Sequence, residues 1–413
     1  MYNSKFTGIK LKAIKNKFFA LLLGITFIST WKTALGAQIQ IGQVPVVGAN
    51  RTDLYFPSLK GKQIGLVANA TSVIFRKDGK PVHLADSLLA SGILLKRVFT
   101  PEHGFRGAAD AGEELSDSMD TKTGLPLISL YGENRKPKPE YLSDLDLIVF
   151  DIQDLGVRFY TYIATLQRVM EACADAGIPI LVLDRPNPNA DMVDGPIMEL
   201  QHTSFLGLTP IPLAYGLTLG EYATLINEEG WLNTSQKANL TVIEIANYNR
   251  NIPYEIPIAP SPNIPNTQAA MLYPSLGLFE GTQVNAGRGT SAQFQCFGAP
   301  FLYANYFDFE YVPESRPGAK NPKHLQETCY GRDLRHEVPP REVSLKYLLE
   351  AYRNNSTPDQ FFLTSGFTKH AGTEQLQKQI ETGLTESEIK ATWQPGLEAF
   401  KKIREKYLRY NGS

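Results

Sequence analysis

The stretch LDLIVFDIQDLGVRFYTY, residues 145–162, indicates the fold class. Its first part, Leu145–Phe150, is a near-continuous apolar run, which is typical of a strand buried on both faces. Polar residues follow, and Tyr160–Ala176 then carries apolar side chains at spacings of three and four: Ile163, Leu166, Met170 and Cys173. The Ala-Gly pair at 176–177 is a typical helix end. The stretch therefore predicts a buried strand followed by an amphipathic helix.

Further apolar runs of similar length flank this unit along the chain: Gln63–Ala68, Ile93–Phe99, Leu125–Tyr131 and Ile178–Leu183. A second helix-like segment, Val82–Leu89, lies between the first two runs. Alternation of buried strands with helices is typical of parallel sheets covered on both faces. The sequence therefore predicts an α/β fold, a Rossmann-like domain with a mostly parallel sheet.

The pattern changes near residue 250, where five prolines fall between positions 253 and 265. Such a density of proline excludes a helix interior or a central strand, so we expect a crossing into a second domain. Residues 341–410 are predicted to be largely helical. We predict a Rossmann-like domain over residues 38–250 and a smaller α+β C-terminal domain over 251–413, which closes a cleft against the first.

The N-terminal 37 residues have the composition of a secretory signal peptide. Five lysines precede an apolar run of 14 residues, Phe18–Trp31, and small residues follow at Ala34, Gly36 and Ala37. The run is shorter than the roughly 20 residues that span a bilayer, although an uncleaved anchor is the alternative. We expect a mature chain that begins near Ala37, has no stable membrane anchor and works in the periplasm or outside the cell.

The overall charge gives no general reason to bind nucleic acid. The chain has 413 residues, of which 41 are basic and 42 acidic, for a formal charge of −1. Because the predicted signal peptide holds six lysines and no acidic residue, the rest of the chain carries −7. The oligomeric state stays open.

Three cysteines are too few for a scaffold held together by disulfides. In an oxidising compartment Cys296 and Cys329 have two alternatives, a disulfide bond or two buried free thiols. Their spacing does not decide between these alternatives.

Polar residues follow the predicted strands at the points where the strands end. In an open parallel sheet, ligands bind outside the carboxyl ends of the strands, so these side chains are expected to converge on one crevice. The candidates are Asn69 after the first strand; Glu102, His103 and Arg106 after the second; Asp151, Gln153, Asp154, Arg158 and Tyr160 after the fourth; and Asp184, Arg185 and Asn187 after the fifth.

Several common catalytic motifs are absent from the sequence: a P-loop, a G-x-G-x-x-G after the first strand, a G-x-S-x-G elbow and an H-E-x-x-H helix. Carboxylates with Asn, Gln, Arg and Tyr remain, a set of side chains typical of sugar-binding sites. Glycoside hydrolysis needs a carboxyl group that protonates the leaving oxygen, and usually a second as base or nucleophile. Glu102, in a tight turn beside phenylalanines, suits the acid.

A cation site is an alternative for the same residues. Glu102, His103, Asp151, Asp154 and Asp184 offer the ligands of a carboxylate–histidine metal centre. His103 also suits a local hydrogen bond, and the aspartates suit turn formation. The first interpretation predicts no metal and no cofactor, and the alternative predicts a metal-dependent hydrolase.

Two later segments add candidates. Pro260–Pro265 is rigid and presents the amide of Asn263, and Leu278–Thr282 carries Glu280, a second carboxylate candidate beside Asp151. Glycines on both sides of Arg288 allow the backbone to approach a ligand closely while the guanidinium grips a carboxylate.

At these motifs the sequence resembles glycoside hydrolase family 171, long catalogued as a domain of unknown function. The resemblance extends in order over essentially the whole mature chain and rests on ungapped motifs: TPEHGFRG (100–107), FDIQDLGVRFYTY (150–162), LDRPNP (183–188), PSPNIP (260–265), LFEGT (278–282), GRGT (287–290) and WQPGLEAFKKIR (393–404). It implies an active site between two domains and exo-acting release of N-acetylmuramic acid from the non-reducing end of peptidoglycan fragments. The catalytic glutamate proposed for the family falls on Glu102.

Such a substrate suits the candidate side chains. We expect a positioned arginine to bind its lactyl carboxylate, with Arg288 as the first candidate and Arg158 as the second. Its acetamido and hydroxyl groups suit Asn69, Gln153, Asn187 and Asn263, and tyrosines offer a stacking face. A non-catalytic muropeptide-binding protein that uses the same crevice is the alternative from another class.

Overall fold

A seven-stranded sheet forms the centre of the molecule in the computed structural model, which describes residues 44–106 and 118–410. The predicted signal peptide lies outside these residues. The strands of the described residues are, in chain order, β1 (Gln63–Ala68), β2 (Val73–Phe75), β3 (Pro81–His83), β4 (Leu94–Thr100), β5 (Ser118–Met119), β6 (Pro126–Ser129), β7 (Leu147–Asp151), β8 (Ile180–Leu183), β9 (Asp194–Ile197), β10 (Pro212–Ala214), β11 (Leu240–Ile243), β12 (Cys296–Ala299), β13 (Phe309–Tyr311) and β14 (Cys329–Asp333).

The α-helices in the same part of the chain follow the alternation that the sequence predicts. They are α1 (Thr52–Leu59), α2 (Leu84–Ala90), α3 (Tyr162–Ala176), α4 (Leu219–Glu228), α5 (Thr267–Leu276), α6 (Lys346–Arg353), α7 (Thr364–Ala371), α8 (Gln375–Glu381) and α9 (Glu386–Glu405). No helix among the described residues combines the length and the apolar character that crossing a membrane requires.

The order of the strands in the sheet is β11-β8-β7-β1-β4-β6-β5, and only β5 runs antiparallel to its neighbour. The chain builds outward from β1 through β4 to β6 and then returns to place β7 on the other side of β1. Every residue of β7 is buried, as expected of a strand covered on both faces. The prediction of a Rossmann-like, mostly parallel α/β sheet is confirmed.

Helix α3 packs on this sheet with almost all of its side chains buried. Gly177 caps it in a left-handed conformation (φ 68°), and its amide donates to the carbonyls of Cys173 and Ala174. Only glycine adopts that conformation at little cost, which explains why the helix stops where the Ala-Gly pair predicts. The helix begins at Tyr162, so this residue and the preceding Thr161 lie at the carboxyl end of the sheet.

The C-terminal part is smaller and mixes helices with a three-stranded antiparallel sheet, β12-β14-β13. This confirms the predicted α+β character. From Pro45 onward the described residues form one compact unit, and one apolar cluster contains Leu166 from the first part of the chain together with Leu272 and Phe400 from the C-terminal part. The boundary near residue 250 stays a prediction.

Short elements escaped the sequence analysis because they lack a full period of apolar residues. They are the β2–β3 and β9–β10 hairpins and the edge strand β11. The proline-rich segment 253–265 contains neither helix nor strand, as expected.

The end of the described chain is fixed in the interior. Tyr410 is 4% exposed, and its hydroxyl donates to Asp184 Oδ2 over 2.7 Å at the carboxyl end of β8. The same hydroxyl accepts the amide of Ile245. The last residues thus complete the packing around the edge of the central sheet.

All three cysteines are free thiols and buried. In the antiparallel register Cys296 lies opposite Asp333, whereas Cys329 lies opposite Tyr311 on the other side of β14. Burial raises the pKa of both thiols to about 12. Of the two alternatives, the structure has the free thiols.

Candidate active site

A cleft of about 360 Å³ opens at the carboxyl ends of the parallel strands. Residues that follow β4, β6 and β7 form one wall, residues of the C-terminal part form the other, and residues 204–206 also contribute to the lining. The lining includes Glu102, His103, Tyr131, Arg135, Phe159, Tyr160, Thr161, Phe205, Asn263, Tyr273, Glu280, Arg288, Lys369 and His370.

Glu102 lies two residues beyond the end of β4, partly exposed on the cleft wall. The hydroxyl of Thr161 donates to Glu102 Oε2 over 3.3 Å. His103 and Gly104 both have left-handed backbones, with φ of 70° and 74°. That conformation is uncommon for a residue with a side chain, so the turn after β4 is closely specified. It directs the chain away from the sheet and leaves Glu102 at the cleft.

Glu280 lies across from the sheet, in the turn that follows α5. The Tyr273 hydroxyl donates to Glu280 Oε2 over 3.2 Å, and Arg288 Nη1 is 3.7 Å from Oε1. His370 Nε2 is 3.9 Å from Oε2, and burial lowers the pKa of this histidine. The carboxylate therefore has a phenol, a guanidinium and an imidazole around it.

Lys323 holds the turn that carries Glu280. Its ammonium donates to the carbonyls of Phe279, Glu280 and Val284 over 3.0, 3.2 and 3.3 Å, and to that of Thr282. Burial lowers the pKa of Lys323 to about 8. One ammonium group thus contacts four carbonyls between residues 279 and 284 and fixes the backbone that carries Glu280.

Asn263 and Arg288 meet at the carbonyl of Gly318, to which they donate over 2.7 and 3.3 Å. Tyr160 lies on the same cleft wall, and burial raises its pKa well above 10. The structure therefore brings together Glu102, His103, Tyr160, Asn263, Glu280 and Arg288 of the predicted residues.

Asp151 and Arg185 form a fully buried ion pair beside the cleft. Two hydrogen bonds join them, Nε to Oδ1 over 2.6 Å and Nη2 to Oδ2 over 2.9 Å, and Arg185 also donates to the carbonyl of Val73. The pair links β7, the segment after β8 and the β2–β3 hairpin at the place where the strand order reverses. Neither side chain is on the cleft wall.

Arg158 is also outside the cleft wall, with none of its surface exposed. It donates to the carbonyls of Pro196, Ile211, His370 and Ala371 over 2.7–3.0 Å. Burial lowers its pKa to about 9. The guanidinium, which the sequence suggested for substrate, instead fixes the end of α7 and with it the backbone of His370.

Each remaining predicted residue has contacts within the fold and lies off the cleft wall. Asp184 accepts from Thr218, Gly220 and Tyr410, and Asn69 accepts from Thr71. Gln153 donates to the carbonyls of Asp154 and Pro186, and Asn187 donates to the carbonyl of Leu217. Arg106 forms ion pairs with Asp120 and Asp86. The described residues include no group of three or more His, Cys, Asp or Glu arranged to hold a metal ion.

Asp154 is a buried carboxyl whose Oδ2 accepts from the amide of Gly156 and from the Tyr215 hydroxyl. Its Oδ1 has no hydrogen-bond partner within the described chain. Burial raises the pKa of Asp154 to about 6, so the folded state binds this proton more tightly than the unfolded chain does.

We expect the stabilising effect of Asp154 protonation to be present below about pH 4 and to be lost as pH rises through about 6. Relative to Asp154→Asn, the wild-type free energy of unfolding should fall by on the order of 3 kcal/mol between pH 4 and 7. Urea unfolding across this range measures it. Asp78→Asn, at an exposed carboxylate, should leave the profile parallel to wild type, and a parallel profile for Asp154→Asn would contradict the expectation.

Sequence reasoning missed several residues of the cleft. Arg135 follows the predicted strand 125–131, so the rule that selected Glu102, a polar residue at the end of a strand, applies to it equally. Tyr273, Lys369 and His370 lie in helical segments whose spacing indicates packing. No signal in the sequence places His370 next to Glu280.

Residues 64–268 match the family description Exo-beta-N-acetylmuramidase NamZ, N-terminal, and residues 271–410 match its C-terminal counterpart. The peptidoglycan beta-N-acetylmuramidase NamZ of Bacillus subtilis (strain 168) is 36% identical over 421 residues, which cover 96% of this chain and 100% of that relative.

Two DUF1343 family proteins of Bacteroides fragilis NCTC 9343 have crystal structures with the same fold. The first is 41% identical with a TM-score of 0.81, covering 90% of this chain and 100% of its own. The second is 27% identical with a TM-score of 0.76, covering 89% and 99%. These findings confirm the resemblance that the motifs predict. The chain belongs to the NamZ family of exo-β-N-acetylmuramidases.

Proposed function

We propose that the protein is a secreted glycoside hydrolase that releases N-acetylmuramic acid from the non-reducing end of peptidoglycan fragments, with Glu102 as general acid. The observation that carries the proposal is a single cleft with Glu102 on one wall and Glu280 on the other. Membership of the family and the named activity of the Bacillus subtilis relative supply the substrate class.

The two carboxyl groups suit the two tasks of glycoside hydrolysis. Glu102, with the Thr161 hydroxyl on Oε2, protonates the glycosidic oxygen as the bond to the anomeric carbon breaks. Glu280 acts from the other wall as base or nucleophile, since Tyr273 and Arg288 hold it in place. Asp151, the other candidate, is fully buried and paired with Arg185.

The proposed site of action is outside the cytoplasm. Support comes from the basic and apolar segment at the start of the sequence, which has the length and flanking residues of a cleaved signal. Peptidoglycan is the substrate that an enzyme in this location meets.

A purified chain beginning at residue 38 tests the activity on a chromogenic N-acetylmuramic acid glycoside and on a disaccharide with this sugar at its non-reducing end. We expect release of free N-acetylmuramic acid, identified by mass spectrometry, and no cleavage of sugars inside longer chains. Tight binding of the intact disaccharide without any released sugar would instead support a muropeptide-binding protein.

We expect Glu280→Gln to lower kcat by about a hundredfold or more, because the variant loses the second carboxylate. Tyr273→Phe removes only one hydrogen bond to the same group and should cost about tenfold or less. Steady-state kinetics on the chromogenic glycoside measure both. Equal losses in the two variants would show that Glu280 acts through its contact with Tyr273 and not as the reacting carboxylate.

A further inference from the structure

Two cations on the cleft wall have no acidic partner among the residues that the structure describes. Arg135 and Lys369 are both exposed, and within residues 44–106 and 118–410 neither has an ion pair or a hydrogen bond through its side chain. The other cleft arginine, Arg288, faces Glu280. Two uncompensated positive charges in a concave site favour an anionic ligand there.

Arg135 is ordered by an aromatic ring. Its guanidinium carbon lies 4.6 Å from the centre of the Phe205 ring, a cation–π contact that leaves the N–H groups at the edge of the guanidinium open. Phe205 is held in a turn closed by two hydrogen bonds between Ser204 and Gly207, over 3.0 and 2.9 Å. The guanidinium is therefore supported before any ligand arrives.

Lys369 lies in the last turn of α7, next to His370. This end of the helix is joined to the segment that leads to Phe205: the amide of Glu199 donates to the carbonyl of Gly372 over 2.9 Å, and the Thr373 hydroxyl donates to Glu199 over 2.5 Å. The helix end that carries Lys369 and the segment that leads to the ring beneath Arg135 are therefore joined by hydrogen bonds.

We infer that Arg135 and Lys369 form a carboxylate subsite, which selects an acidic amino sugar over its neutral analogue. The inference rests on the proposed function and names the residues that read the lactyl carboxylate of N-acetylmuramic acid. Arg135 offers paired N–H donors that match a carboxylate, and Lys369 adds a point charge. Arg288 and Arg158, which the sequence suggested for this role, are already engaged with Glu280 and with backbone carbonyls.

The test compares kcat/KM for two chromogenic glycosides that differ only in charge, one of N-acetylmuramic acid and one of its lactyl carboxamide. The variants are Arg135→Gln and Lys369→Gln. We expect the ratio of acid to carboxamide activity to fall by about ten- to hundredfold in each, the range for a lost charge-assisted hydrogen bond. Lys138→Gln, at an exposed lysine in the same loop as Arg135 but off the cleft wall, should keep the wild-type ratio.

Variants that lose activity equally on both glycosides, or lose none, keep the wild-type ratio and would overturn the subsite. So would a wild-type enzyme that cleaves the carboxamide as fast as the acid. A wild-type enzyme that cleaves neither glycoside nor the disaccharide contradicts the proposed function itself, so the two failures are distinguishable.

Discussion

Glu102→Gln is expected to lower kcat on a muramyl disaccharide by about 10²–10⁴-fold while the protein folds normally. Gln has the same shape and keeps an oxygen for the Thr161 hydroxyl, but it has no proton to give to the leaving oxygen. Because Glu102 is partly exposed at the cleft, the substitution leaves no buried charge unpaired.

The leaving group makes this result specific. A glycoside whose leaving phenol is strongly acidic needs little protonation, so Glu102→Gln should recover most of its activity on that substrate. Thr161→Val, which removes only the hydroxyl beside the carboxyl, should show a much smaller loss on both substrates. Equal losses by Glu102→Gln on strong and weak leaving groups would rule out its role as the acid.

Arg185→Met is expected to lower the free energy of unfolding by about 3–5 kcal/mol, because Asp151 is left without its partner in a fully buried position. Urea unfolding followed by circular dichroism measures the loss. Lys237→Gln removes one side of an exposed ion pair with Glu228 and should change the midpoint little.

A double variant separates the charge from the packing. Asp151→Asn combined with Arg185→Met leaves no unpaired ion at this position, so the double variant should be more stable than Arg185→Met alone. If the losses in free energy of unfolding from the two single substitutions instead add in the double variant, the loss comes from packing. The ion pair is then not the source of the stability at this point of the sheet.

The fold was predictable from the sequence because its strands are buried on both faces. Apolar runs such as Leu145–Phe150 and Gln63–Ala68 are explained in an α/β protein by strands that helices cover on both faces. The helix that begins at Tyr162 is visible in the sequence through its apolar face and through Gly177, which ends it. Strands of three or four residues at the sheet edge, such as β11, lack a period long enough to detect.

The candidate site was predictable only in part, since a polar residue at a strand end has two possible directions. Glu102 points to the cleft, whereas Asp151, Asp184 and Arg185 turn inward and connect neighbouring elements. The same residue types occur in both cases, and the direction of the side chain depends on which other elements pack around it in the tertiary structure. The contribution of α7, through Lys369 and His370, depends on packing between distant segments, which spacing does not encode.

Tyr410 links the order of synthesis to the completion of the fold. When the central strands and α3 have left the ribosome, Asp184 still lacks the Tyr410 hydroxyl and Glu221 still lacks the amide of Arg409. Both carboxylates are buried in the finished protein, so these donors are needed where water is excluded. The edge of the sheet therefore reaches its full stability only when translation has delivered Arg409 and Tyr410, and a chain that stops before these two residues lacks donors that its interior requires.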